Sequence, residues 1–285
     1  MKSIKKITAF MLTSAIIIGC LMGEIITAKA NSKNSFKYIN LNDGRATVGN
    51  ITFELKHKGT IGTESEYGII YYTAKGKTKV LYKDRAGYVH NSLVSDGRTV
   101  YYVKKNNSVR CYNLQNGKEK KIFSEIDLMD IAGVGYGKLY YNLEDLTSFK
   151  SYDLKTGKRK LVLSDVGAAE SFGRYIYCRP EESDSSPYQL RVYDMKTKKK
   201  KTISNETIIH RIISGKLYYV TCKNYNMYTA NPVGTYSVYK SNLNGSGKKR
   251  LYKKKIKGLV YDLSKHSLTY GTFEADDYVE HTIKF

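Results

Sequence analysis

From residue 36 onward the chain breaks into short runs in which apolar and polar side chains alternate, each run closed by glycine, asparagine or lysine. Val109-Arg110-Cys111-Tyr112-Asn113-Leu114 is one such run, and its period of two is that of a strand with one buried face. Tyrosines and β-branched residues, which suit a pleated, half-buried surface, fill the apolar positions. Gly68-IIYY, Gly97-RTVYY, Gly137-KLYY, Gly173-RYIY, Gly215-KLYY and a weaker copy at His266-SLTY repeat a turn residue followed by an apolar-aromatic strand. After the first thirty residues no stretch of useful length has helical periodicity.

The copies recur at intervals of about 40 residues, the length of a four-stranded propeller blade. A second phrase closes each unit: YNLQNGK at 112–118, YDLKTGK at 152–158, YDMKTKK at 193–199 and a stretched YKSNLNGSGK at 239–248. Asn116-Gly117 and Thr156-Gly157 supply the positive φ of a tight hairpin turn. The lysine bursts that follow, at 118–122, 158–162, 198–203 and 248–255, fall on the outermost strand of each unit. Lysine on such an unpaired edge discourages strand-to-strand aggregation. Shared among six units, residues 31–285 give about 42 residues each, within the blade range. The expectation is an all-β, six-bladed β-propeller of four-stranded blades, one domain over 31–285. Its last unit, from Lys257 to Phe285, is degenerate, to be completed by Phe36–Leu41 or Ile51–Leu55.

GKLYY together with VYKSNLNGSGKKRLY (238–252) resembles the repeat of six-bladed propellers of the low-density-lipoprotein-receptor and TolB-like type, and secreted bacterial proteins of unknown function built from it. The resemblance covers nearly all of residues 60–285. It implies a propeller that binds a protein or a glycan, and it carries over no catalytic residue. The family's tyrosine-tryptophan-threonine-aspartate strand is represented here only by Tyr-Tyr pairs, so its receptor-type ligand chemistry does not carry over either.

Lys2, Lys5 and Lys6, an apolar run from Ile7 to Met22 and then Ala28-Lys29-Ala30 have the layout of a secretory signal peptide cleaved after Ala30. Ile17-Ile18-Gly19-Cys20 keeps lipid anchoring at Cys20 open, although the residues after Cys20 stay apolar. No second apolar stretch is long enough to cross a bilayer, so the expected location is secreted or cell-surface associated. Cys111, Cys178 and Cys222 sit in strand-like runs, without the spacing of a disulfide framework or a zinc site. They read as small buried hydrophobes, with a Cys178–Cys222 bridge requiring close approach in space.

Charge changes the picture more than composition does. A net +22 draws a protein to polyanions. With export and edge strands accounting for the lysines, nucleic acid is not the expected partner. An anionic wall polymer or phospholipid surface, held by many weak, salt-sensitive contacts, is. Gly-x-Ser-x-Gly, GxxxxGK[ST] and HExxH are missing, the five histidines fall singly in different repeats, and no cofactor or metal is expected. The longest loops, 179–189, 223–235 and 272–278, are predicted on one face. They carry Glu181, Glu182, Asp184, Asp276 and Asp277 beside Tyr188, Tyr225, Tyr228 and Tyr278. Loops on a rigid scaffold are where binding groups concentrate, so these nine residues form the candidate ligand site, for a protein segment or a glycan. Glu125, Asp127, Asp130, Asp165, Glu170 and Glu206 join the same face from segments that pass between blades. The resulting reading is a non-enzymatic binding or scaffolding module at the cell envelope. The alternative is a carbohydrate-active hydrolase or lyase using paired loop carboxylates, which would flank the scissile bond.

Overall fold

The computed structural model of the chain describes residues 36–41, 44–60, 65–85, 92–143, 148–180, 187–226, 231–274 and 277–285. Among them every regular element is a strand, and the strands form five antiparallel sheets. They fall into two compact units that divide after Ile131.

The first unit holds two sheets. One is the meander β2 (Arg45–Val48), β3 (Ile51–Lys58), β4 (Tyr67–Ala74) and β5 (Lys77–Arg85). The other runs β1 (Lys37–Asn40), β6 (Ser92–Ser95), β7 (Thr99–Lys104), β8 (Ser108–Asn113) and β9 (Glu119–Ser124), with β1 outside β6. Their alternating apolar positions meet in one core that includes Phe53, Ile70, Tyr72, Leu93 and Tyr102, all nearly inaccessible.

In the second unit β10 (Leu128–Gly135), which begins at the end of the first, leads β11 (Lys138–Leu143), β12 (Ser148–Asp153) and β13 (Arg159–Ser164). A seven-stranded sheet follows: β14 (Ala168–Phe172), β15 (Tyr175–Arg179), β16 (Tyr188–Asp194), β17 (Lys200–Ile213), β18 (Lys216–Asn226), β19 (Val233–Ser241) and β20 (Lys249–Lys257). The last sheet is β21 (Leu259–Leu263), β22 (Ser267–Glu274) and β23 (Asp277–Lys284).

The repeated tyrosine phrase has a shared hydrogen-bond pattern behind it. Its Asx residue, Asn113, Asp153 or Asp194, accepts through Oδ1 the backbone N–H groups two and three residues on, which nucleates the turn. The aliphatic residue that follows, Leu114, Leu154 or Met195, donates its N–H to the carbonyl of Arg98, Gly137 or Arg174 in the preceding hairpin. Gly117 and Gly157 then take φ of +72°. The lysine bursts fall on β9, β13 and β20, each the terminal strand of its sheet, and on the first half of β17.

Several expectations change. Five sheets stand where six were expected, because β17 is continuous through two meanders. Its first half pairs with β16, as Val192↔Lys201, and its second with β18, as Ile213↔Lys216. The first repeat copy was placed one strand late: Gly68 lies inside β4, and the turn glycine is Gly49, at φ +60°, between β2 and β3. The two strands have similar composition, and only the turn distinguishes them. Neither Phe36–Leu41 nor Ile51–Leu55 completes the last sheet, since β1 pairs with β6 and β3 with β2 and β4. Cys178 and Cys222 are buried free thiols in different core clusters. Burial raises their pKa values to about 12 and about 11, so they are inert hydrophobes and no bridge joins them.

Candidate functional site

Of the nine expected ligand residues, Glu181, Glu182, Asp184, Tyr228 and Asp276 lie outside the described residues, as do residues 1–30 with Cys20. Tyr188 belongs to β16 and is 7% exposed, packed with Tyr177, Leu190 and Tyr219. Tyr225 belongs to β18 and packs against a different cluster, with Tyr236 and Val238. Tyr278, on β23, is 45% exposed, with its ring edge-on to Phe273 at 5.6 Å, and Asp277 beside it is exposed. The three described tyrosines therefore do not line one surface. Much of the expected loop sequence is strand: alternating apolar residues carry β18 to Asn226 and start β19 at Val233.

Tyr188 leads instead to a site that the linear sequence concealed. Its hydroxyl lies 2.7 Å from His210 Nδ1, and His210 Nε2 lies 2.9 Å from Glu170 Oε1. Glu170 is on β14 and His210 on the second half of β17, the first strands of consecutive meanders. The Tyr188 hydroxyl and Nδ1 share a hydrogen bond whose direction follows the ring's tautomer. The Nε2 contact is at ion-pair distance but off the N–H axis. Arg211, next on β17, pairs with Asp262 on β21 at 3.2 Å. The Arg179 guanidinium lies 5.7 Å from the centre of the Tyr188 ring, and Tyr177 tilts against His210 at 6.0 Å.

Electrostatics favours the ionised form of Glu170, at the solvent end of this chain of contacts. Crowding by protein pushes its pKa up, but His210, Arg211 and Arg179 outweigh that and hold the carboxyl below its ordinary range. Glu170 keeps 46% of its side chain open to solvent, while His210 keeps 12%. Burial raises the pKa of the Tyr188 hydroxyl, so it stays protonated. The result is an ionised, accessible carboxylate whose neighbours are held in place from behind.

The first unit has a carboxyl of opposite character. Asp130, on β10, receives the Ser92 hydroxyl at Oδ1 and the Tyr38 hydroxyl at Oδ2, 3.1 Å away. Burial nonetheless lifts its pKa to about 6. Among the described residues no group of three or more His, Cys, Asp or Glu side chains could hold a metal ion.

Asp130 and Glu170 had been assigned to segments crossing between blades; both are in strands. His210 was read as an isolated histidine, and it is the centre of the cluster. One signal was available: Asp130, Glu170, His210 and Asp262 each interrupt the apolar run on the first strand of a meander.

No protein-family model and no curated protein matches this chain. Among solved structures it is similar to dipeptidyl peptidase 4 from Porphyromonas gingivalis, at 10% identity over 93% of this chain and 46% of that one, with TM-score 0.51. It is similar to the Pyrococcus horikoshii acylaminoacyl peptidase at 10% identity, over 87% and 45%, with TM-score 0.52. TolB from Acinetobacter baumannii is similar at 15% identity, over 85% and 61%, with TM-score 0.43. The chain is an all-β protein with β-propeller neighbours. At these identities the likeness is one of fold alone, and the chain spans about half the length of the two peptidases.

Proposed function

We propose that the chain is a secreted, non-enzymatic binding module of six propeller blades, and that it holds a polar ligand over Glu170. The observation that carries this is the Tyr188–His210–Glu170 arrangement: an ionised carboxylate, accessible and fixed in orientation, suits a ligand ammonium, guanidinium or hydroxyl. A protein segment or a glycan supplies such groups. Dividing β17 at Thr207, which pairs with both Tyr188 and Thr221, yields the six blade-like meanders of the proposal. Export by residues 1–30 and residence at an anionic envelope through the lysine edges complete it.

The test is a panel of peptides and glycans titrated against the protein and its Glu170→Gln variant, which keeps the shape and removes the charge. Loss of about tenfold or more in affinity, some 1.4 kcal/mol, is expected. A ligand held equally well by the variant would refute this site.

The enzymatic alternative has one observation on its side. Asp130, with its pKa near 6, lies in the range of a general acid. Turnover of any polysaccharide by the protein, abolished in Asp130→Asn, would establish it over the binding reading.

A further inference from the structure

The sheet β17–β20 presents a second surface with a different chemistry. Its register aligns Thr207, Thr221, Ser237 and Lys253 in one row across four strands. The next row is Lys223, Thr235 and Lys255, and Tyr239 and Arg250 open the row before. Residues directly opposite each other in antiparallel strands share a face, so hydroxyls and cations lie together here. The reverse face carries Val220, Cys222, Tyr236 and Val238 into the core.

Two adjoining hollows of about 330 and 270 Å³ lie over these rows, sharing Asn224 and Thr235 in their walls. Thr221 and Ser237 line the smaller one with Lys253 and Arg250, and Lys255 lines the larger. No carboxylate is among the described lining residues of either. Thr207, wholly buried at the end of the hydroxyl row, has no hydrogen-bond partner for its Oγ1.

The geometry points to a linear phosphodiester polymer without rings as the ligand of this groove. Hydroxyl, amide, ammonium and guanidinium donors approaching from several directions suit a tetrahedral oxyanion better than a planar carboxylate, which favours a bidentate arginine. Rows of cations two residues apart along a strand are about 7 Å apart, so one chain carrying successive charges engages several at once. Bases and sugar rings bind such grooves by stacking on aromatic faces. Here Tyr239 is stacked on Tyr219 at 5.3 Å, and Lys248 covers its ring at 3.9 Å. Among the described residues the groove offers no open ring face to a base or a sugar. The lining residues are distinct from the Glu170 cluster. That cluster is read with its own peptide and glycan panel, so the two assignments fail separately.

The experiment titrates poly(glycerol phosphate) oligomers into the purified protein, into Lys253→Gln/Lys255→Gln, and into Lys158→Gln/Lys160→Gln, which removes equal charge at the start of β13. Inorganic phosphate, single-stranded DNA and polygalacturonate are the comparison probes. The expected result is a loss of about tenfold or more for the groove variant and under about twofold for the β13 variant, with the three comparison probes weaker than the polymer. Ser237→Ala, which keeps every charge, also weakens binding, while unchanged circular dichroism and melting show that each variant is folded. Equal losses in the two lysine variants would reduce the effect to net charge and overturn the proposal. So would DNA or polygalacturonate binding as tightly as the polymer, or inorganic phosphate matching it.

Discussion

Tyr188 was picked out by its sequence neighbourhood and turned out to act from inside the fold. Its value lies in the hydroxyl that fixes His210. Tyr188→Phe leaves His210 Nδ1 without its hydrogen-bond partner in a largely buried setting and is expected to cost about 1–3 kcal/mol of stability, measured by denaturant unfolding. Asp130 makes a pH prediction. Its folded pKa of about 6 stands above the ordinary 3.8, so the folded state holds the proton more tightly than the unfolded one. The group's stabilising contribution is therefore present below about pH 4 and is lost as pH rises through about 6. The melting temperature of the wild type should show that downward component between pH 4 and 6, and Asp130→Asn should lack it; an unchanged profile would mean that Asp130 is ordinarily ionised. These residues were hard to see in the sequence because a titratable group in a strand is defined by what faces it. Glu170 and His210 are forty positions apart.

Turns were far more legible than sites. The phrase that ends each repeat is a local object: Asn113 caps the turn with its own side chain, and the glycine and lysines follow from that geometry. Asn113→Ala should therefore lower stability by about 1 kcal/mol while Asn113→Asp retains it, read as a melting shift of about 2–4 °C. Strand packing shows a second constraint. A Cβ placed on Gly234 in β19 would sit 2.1 Å from Cys222 Sγ. Gly234→Ala is expected to destabilise by about 1–3 kcal/mol, and Cys222→Ala in the same chain should recover part of the loss. Additive losses in the double variant would show that the clash is relieved elsewhere. The misplaced first copy has the same origin as these successes. β3 and β4 both satisfy the strand pattern, and only the positive φ at Gly49 marks which one follows the turn.

The lysines are a property of the whole chain, with its net charge of +22, and their placement on terminal strands gives them a collective role. Lys158→Val/Lys160→Val at the start of β13 should raise self-association in sedimentation experiments by uncovering an unpaired strand edge; a monodisperse variant would show that these lysines do not protect the edge. The all-β class, the period of about forty residues, the hairpin turns and the lysine edges could all be read from residue order alone. Each depends on side-chain alternation or on a turn a few residues long, and both are encoded locally. The pairing of β1 with β6, the passage of β17 through two meanders, and the meeting of Tyr188, His210 and Glu170 were decided only by the tertiary structure. Each joins segments whose sequences fit several partners equally well, and the choice among them is made by the register and burial of the strands between.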